Sequence, residues 1–216
     1  MNQRARKRGT RLATIAVPFV AAVVLGGSYL VGASPAATAD AIRYFSFIAL
    51  TEADAGDDKV HRIAGGGSGV FDADTGWVRG GGSFEHFDFG AEGVPKPSLA
   101  SIKWEAKRVV AFTPCMAPDT CTTPGDETYG HIRPGVVELE VDLYPADGEK
   151  ITGMLTVICN VGFAGIVNKD PATGDPRPEG YFLTFADAEL GTLEFKPLDP
   201  SIGITHIGLI PPHELK

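Results

Sequence analysis

The segment Glu85-His86-Phe87-Asp88 has the residue types that metal-assisted chemistry requires. It lies in a stretch with strand character, where alternate side chains point to the same face. His86 and Asp88 would therefore lie on one face, one pleat apart, and Glu85 on the other. A metal site needs three or four ligands, so the remaining ones would come from distant strands. The segment predicts a metal site at His86 and Asp88, and the competing interpretation is a scattered histidine with ordinary hydrogen bonds.

The other histidines are widely spaced along the chain. His61 begins the arm that would pair with this segment, and it is expected near Phe87 across the hairpin. His131 lies in a predicted loop, and His206 and His213 lie near the C-terminus. The sequence contains no H-x-H, H-E-x-x-H or C-x-x-C pattern and no G-x-S-x-G nucleophile elbow. It therefore indicates no catalytic residue and no cofactor, and an enzyme is not the leading expectation.

A second acidic group lies at residues 72–76, which read Asp-Ala-Asp-Thr-Gly. The same D-x-x-T-G pattern recurs at residues 170–174. An Asp side chain accepts backbone hydrogen bonds from residues two or three positions on, and Gly supplies the positive φ that closes the turn. D-x-D-x-G also opens a calcium loop, but Ser83 stands where that loop has its bidentate Glu. A turn is the main expectation, and Asp72 and Asp74 are the alternative calcium ligands.

Glycine-rich segments lie on both arms of the predicted hairpin. Residues 65–69 read Gly-Gly-Gly-Ser-Gly, and residues 80–83 read Gly-Gly-Gly-Ser. Phosphate-binding glycine loops join a strand to a helix, and no helical pattern follows here, so a nucleotide site is not expected. Glycines in paired strands instead permit the close approach of another group. An aromatic side chain is expected to lie across them, and the nearby aromatic residues are Trp77, Phe84, Phe87 and Phe89.

The chain has 3 cysteines. Cys115 and Cys121 flank a short proline-containing loop, and their small separation favours a disulfide between them. Cys159 falls on the apolar face of a predicted strand, where a buried free thiol is expected. Pairing of Cys159 with either of the other two is the alternative. A catalytic thiol is not expected on an apolar face.

The N-terminus has the features of an export signal. Five basic residues within the first 11 positions precede 28 residues, 12–39, that carry no charged side chain. The stretch ends in Ala37-Thr38-Ala39, which is an acceptable signal peptidase site. Residues 1–39 are therefore predicted to be a signal peptide, with a membrane anchor as the alternative because residues 12–31 are long enough to span a bilayer. In either case residues 40–216 form one domain outside the cytoplasm, and the mature protein is secreted if cleavage occurs.

Composition and charge restrict the partners of this domain. The 216 residues include 27 Gly and 16 Pro, and 44% are hydrophobic, which is typical of a turn-rich globular protein. Loss of residues 1–39 removes five basic residues and no acidic one, leaving 14 basic and 27 acidic residues and a net charge of −13. A surface of this charge repels phosphate backbones and anionic lipids. Nucleic acid is not an expected partner, and a membrane is one only if the N-terminal segment is retained.

Hydrophobic periodicity predicts the fold. Apolar residues alternate with polar ones at period two, and no glycine- and proline-free window has helical spacing. Gly- and Pro-rich turns separate the runs, which indicates an all-β domain: an antiparallel sandwich or a closed barrel of about eight strands. The predicted strands are residues 44–50, 63–71, 77–89, 102–112, 137–143, 151–161, 181–185, 190–195 and 202–209.

These features predict an exported, acidic, non-enzymatic domain that binds a ligand, a surface or another protein. Its partner would be a small ligand or an extracellular protein. The alternatives are a barrel that encloses a small apolar molecule and a metal-assisted enzyme built around His86 and Asp88. An internal cavity would favour the carrier, whereas a filled interior with exposed loop aromatics would favour the binding domain. Three His or acidic side chains converging on one point would favour the enzyme.

Overall fold

The computed structural model describes residues 42–54, 60–89, 100–122, 132–146, 148–161, 165–188 and 191–210. Within this part of the chain every long element is a strand. The strands are β1 (Ile42–Asp54), β2 (Val60–Asp72), β3 (Trp77–Phe89), β4 (Ala100–Pro114), β5 (Gly135–Pro145), β6 (Ile151–Cys159), β7 (Gly180–Asp187) and β8 (Gly191–Leu209).

The eight strands form a closed antiparallel barrel. Each strand pairs with the next along the chain, and β1 pairs with β8 to close the ring. Because the ring closes, no strand is an outermost one, which is how up-and-down barrels avoid edge-to-edge association. The prediction of an all-β antiparallel fold is confirmed, with the barrel rather than the sandwich.

Period-two alternation explains why these segments are strands. On β5, Val137, Leu139 and Val141 are fully buried and face the interior, whereas Glu138 and Glu140 between them are partly exposed. Antiparallel strands with one solvated face have this pattern because successive side chains point to opposite sides. The same alternation on β6 and β7 completes the apolar lining on this side of the barrel.

Glycines make room for the large aromatic residues of the core. The Trp104 indole packs against the β2–β3 ribbon: a β-carbon on Gly67 would lie 2.9 Å from its Cε2, and one on Gly82 would lie 2.7 Å from its Nε1. Phe45 occupies the equivalent position over Gly69, where a β-carbon would lie 2.7 Å from its Cε1. Aromatic rings therefore lie across the glycine-rich arms, but Trp104 and Phe45 supply them and neither is among the neighbouring aromatic residues named from the sequence. Trp77, which was among those, is 49% exposed.

The last strand differs from the prediction. The two runs at residues 190–195 and 202–209 belong to one strand, β8, which pairs first with β7 and then with β1. Its register with β1 shifts between Leu50 and Thr51, where Thr51 pairs with Pro197 and Leu50 with Ile202. This irregularity absorbs residues 198–201, which contain a proline. A barrel wall tolerates such a residue at a bulge, because no ladder hydrogen bond is required of it there.

Cys115 and Cys121 lie at disulfide distance, with their Cα atoms 5.3 Å apart. They pack with Val161 and Ile166 in a second, smaller apolar cluster. Cys159 is buried and is a free thiol. The signal-peptide prediction for residues 1–39 lies outside the described residues. Among the residues described, no helix has the length and hydrophobicity needed to span a bilayer.

Candidate functional site

Two histidines meet inside one end of the barrel. His61 lies at the start of β2 and is buried, and His86 lies near the end of β3. Nδ1 of His61 is 3.0 Å from Nε2 of His86, and the ring centroids are 5.1 Å apart. One ring nitrogen must donate and the other accept in this hydrogen bond, so at least one of the two nitrogens offers a lone pair.

Strand register explains how these histidines come together. His61 is directly opposite Asp88, and not opposite Phe87, in the β2–β3 ladder. The position of His61 differs by one residue from a pairing with Phe87, and in a strand one residue changes the face. His61 therefore lies on the same face as His86. The backbone of Asp88 belongs to β3, but its side chain lies outside the described residues, so its predicted role as a metal ligand stays a prediction.

His86 belongs to a row of residues that a buried tyrosine hydroxyl contacts. Thr51, Ile63 and His86 occupy one row across β1, β2 and β3. The Tyr181 hydroxyl donates to the carbonyl oxygen of Ile63 at 3.3 Å and lies 3.3 Å from Oγ1 of Thr51. Burial raises the pKa of Tyr181, so its hydroxyl remains protonated. Within the described part of the chain, no three His, Cys, Asp or Glu side chains are grouped to hold a metal ion.

The second predicted site forms a turn. Oδ1 of Asp72 accepts hydrogen bonds from the backbone N–H groups of Asp74 at 2.9 Å and Thr75 at 3.3 Å, and Gly76 closes the turn with a φ of 74°. Asp72 is buried and Asp74 is exposed. Burial lowers the pKa of nearby Arg43, while the charges of Asp74 and Asp72 oppose that shift. Turn formation therefore accounts for Asp72, and calcium binding stays a prediction.

A cleft opens in the barrel wall between β3 and β4. The described ladder between them runs from Gly81 to His86 on β3 and from Ala100 to Glu105 on β4. Beyond this ladder the strands separate until the N–H of Val109 donates to the carbonyl oxygen of Gly76 at 2.9 Å. Register shifts of β4 against β5 at residues 106–108 and 109–111 accompany the separation. The cleft has a volume of about 560 Å³.

The polar side chains at this cleft are Arg79, Lys103 and Glu105, and residues 80–82 supply a glycine backbone. Arg79 and Lys103 are exposed, and among the described residues neither has an acidic partner within salt-bridge distance. Glu105 lies 3.5 Å from the Tyr144 hydroxyl. Two cations and one carboxylate give the cleft a local positive balance on a chain that is acidic overall. The arrangement suits a ligand with an anionic group and hydroxyls.

The sequence of β4 contains a signal for this cleft, although it matches no binding motif. Lys103, Glu105 and Lys107 alternate with apolar residues, but Arg108 follows directly and is also exposed. Two consecutive exposed residues interrupt period two, which is the signature of a bulge. The bulge marks where β4 leaves β3.

Comparisons with known proteins give no family for this barrel. No protein-family model matches the chain, and searches of the curated proteins and of the solved structures find no match.

Proposed function

We propose that the chain is an exported, non-enzymatic domain that binds a small hydroxylated anion, such as a sugar acid or sugar phosphate, in the β3–β4 cleft. The observation that carries the proposal is the cleft itself, with Arg79 and Lys103 on its walls. Its volume of about 560 Å³ is within the range of small-molecule sites.

The barrel interior supports a surface site over the carrier alternative. Phe45, Phe84, Trp104 and Tyr181 are all fully buried at its centre, and their rings contact one another or Phe47. These rings occupy the centre of the interior, where a carrier would leave space for its ligand. A ligand is therefore expected on the wall and not inside.

One glycine keeps the outer wall of the cleft open. Phe45 and Trp104 lie over Gly80 and Gly82 inside the barrel, so Gly81 between them faces outward and leaves space there for a ligand because it has no side chain. The guanidinium of Arg79 and the ammonium of Lys103 provide charge-assisted donors to a carboxylate or phosphate, and Glu105 accepts from a ligand hydroxyl. The acidic chain as a whole repels an anion, whereas Arg79 and Lys103 attract it. An anion is therefore expected to bind at the cleft and not elsewhere on the surface.

The test is a titration of the purified ¹⁵N-labelled protein with glucuronate, glucose 6-phosphate and uncharged glucose. At least one anion is expected to shift the amide resonances of residues 80–82 at millimolar concentration, and glucose is not. The Arg79→Ala/Lys103→Ala double variant is expected to bind at least tenfold more weakly, a loss of about 1.4 kcal/mol or more.

Lys196→Ala is the matched control, because Lys196 is an exposed lysine on β8 that contacts Glu194 at 3.4 Å. Its affinity for the anion should equal that of the unmodified protein. Equal binding by the double variant, or no shift with either anion, would overturn the proposal.

A further inference from the structure

We infer that the ligand of the β3–β4 cleft is a short chain of linked sugars with both acidic and neutral units, and that Trp77 binds a neutral unit by stacking. This inference rests on the function proposed above and extends the same site along the outer wall of the barrel. It gives Trp77 the role of selecting a sugar chain over a single sugar.

Trp77 lies on the same outer face of β3 as the cleft. Val78 is buried and faces the interior, so its neighbours Trp77 and Arg79 both face outward. Gly81 continues this face, and Arg79 and Gly81 line the cleft. From Trp77 to Gly81 the face extends about 14 Å, at about 3.4 Å per residue, which is longer than one sugar ring.

The indole of Trp77 is accessible to a ligand. Its side chain is exposed, whereas Trp104 is buried in the core. Among the described residues, no aromatic ring stacks on the Trp77 indole and no cation lies over it. The negative face of an aromatic ring attracts C–H groups, which cover one side of a sugar ring, and the indole N–H can donate to a sugar hydroxyl.

The two cations of the cleft lie far apart along it. Lys103 pairs with Ser83 in the β3–β4 ladder, so it is level with a residue four positions beyond Arg79. The two cations are therefore separated by about 14 Å along the strand direction. A single carboxylate contacts mainly one of them, whereas two acidic units of one chain contact both, and the second contact is then intramolecular.

Charge distinguishes the unit at Trp77 from the units in the cleft. The turn before Trp77 contains Asp72 and Asp74, and the charges of both act on nearby Arg43, which offsets part of them. With these charges close to balance, stacking and not charge is expected to bind the sugar at this end. A neutral unit is therefore favoured over Trp77, and acidic units are favoured at the cations.

The experiment compares one sugar with chains by calorimetry on the purified protein. The probes are glucuronate, hyaluronan and chondroitin tetrasaccharides, which alternate glucuronate with a neutral sugar, and N-acetylchitotetraose, which is wholly neutral. At least one acidic tetrasaccharide is expected to bind at least tenfold more tightly than glucuronate. N-acetylchitotetraose is expected to bind at least tenfold more weakly than that tetrasaccharide.

Tryptophan fluorescence locates the contact without a variant. The chain has 2 tryptophans, and Trp104 is buried, so acrylamide quenches mainly Trp77. The bound acidic tetrasaccharide is expected to protect Trp77 from acrylamide, because a stacked sugar covers one face of the indole.

Variants assign the stacking to Trp77. Trp77→Ala is expected to weaken binding of the acidic tetrasaccharide at least tenfold and so to remove its advantage over glucuronate. Trp77→Phe retains an aromatic ring and should retain most of the affinity. Ile48→Ala is the matched control, because Ile48 is an exposed apolar residue on β1, and it should bind the tetrasaccharide as the unmodified protein does.

Three results would overturn the inference and leave the cleft proposal in place. They are tetrasaccharide affinities no higher than that of glucuronate, unchanged acrylamide quenching at saturation, and equal tetrasaccharide affinity in Trp77→Ala and Ile48→Ala. If neither glucuronate nor glucose 6-phosphate shifts the amide resonances of residues 80–82, the proposed function itself fails. The two failures are therefore distinguishable.

Discussion

Cys159 illustrates how burial determines the protonation state of a side chain. The thiol lies inside the barrel, with Sγ 3.6 Å from the carbonyl oxygen of Thr205. Burial raises its pKa to about 11, because the thiolate would lose its hydration there. The thiol therefore stays protonated at ordinary pH, and a protonated thiol is a weak nucleophile.

The shifted pKa of Cys159 predicts a loss of stability in alkali. Between its ordinary pKa of 9.0 and about 11, the unfolded chain releases the thiol proton and the folded chain retains it. The stability from this group is complete below pH 9 and falls as pH rises to about 11, by about 3 kcal/mol at about 1.4 kcal/mol per pH unit. Urea unfolding of the protein and of Cys159→Ala at pH 8 to 11 measures the difference.

Tyr181 serves as the internal reference for that measurement. Burial raises its pKa as well, so it also lowers stability in alkali, but by the same amount in both proteins. The decline between pH 9 and 11 should therefore be about 3 kcal/mol smaller in Cys159→Ala. Parallel pH profiles for the two proteins would contradict the buried, protonated thiol.

At the scale of elements, the two D-x-x-T-G turns have the same geometry in different surroundings. Oδ1 of Asp170 accepts from Ala172 and Thr173 at 2.8 and 3.2 Å, as Oδ1 of Asp72 does in its own turn. Asp72 is buried where its turn joins β2 to β3, whereas the hydrogen bonds of Asp170 are exposed. When a buried acceptor is removed, its backbone N–H donors lose their partner, and water cannot fully take its place.

This contrast predicts unequal effects of the same substitution. Asp72→Ala is expected to lower the free energy of unfolding by about 1 to 2 kcal/mol, and Asp170→Ala by less than about 1 kcal/mol. Asp72→Asn retains an Oδ1 acceptor and should retain most of the stability. Urea unfolding in EDTA and in CaCl₂ measures all three. A calcium-dependent gain that disappears in Asp72→Asn would support the calcium alternative over the turn.

The elements were more predictable from the sequence than the contacts between them. Alternation and turn residues predicted β3 at its observed bounds, residues 77–89, because both arms of its hairpin end in turn-forming residues. Register depends on pairing between strands. A shift of one residue, from Phe87 to Asp88, decides whether His61 lies on the same face as His86. The β3–β4 cleft depends on a bulge, which interrupts alternation over only two residues. Local periodicity therefore predicts neither the strand register nor the β3–β4 cleft well.

At the scale of the whole molecule, closure of the barrel brings the first and the last described strands together. β1 is the first strand and pairs with both β2 and the last strand, β8. Phe45 and Phe47 on β1 are buried against Trp104 of β4. Stability of the domain therefore requires β1 complete from Ile42, and any processing must leave that strand intact.

Export with cleavage after Ala39 meets this requirement, and it predicts the N-terminus of the mature protein. Two residues, Asp40 and Ala41, would precede β1, so the paired strand is retained whole. Signal peptidase requires small side chains three residues before the cleaved bond and immediately before it, here Ala37 and Ala39. In a secreting host, intact mass analysis is expected to show a soluble product that begins at Asp40.

Two substitutions at the cleavage region separate processing from retention as an anchor. Ala39→Leu places a large side chain immediately before the cleaved bond and is expected to leave the full chain in the membrane fraction. Thr38→Leu is the matched control, because the position between the two small residues tolerates a larger side chain, and the product should still begin at Asp40. If the unmodified protein instead keeps Met1 and sediments with membranes, residues 1–39 are an anchor and the barrel is held at the outer surface.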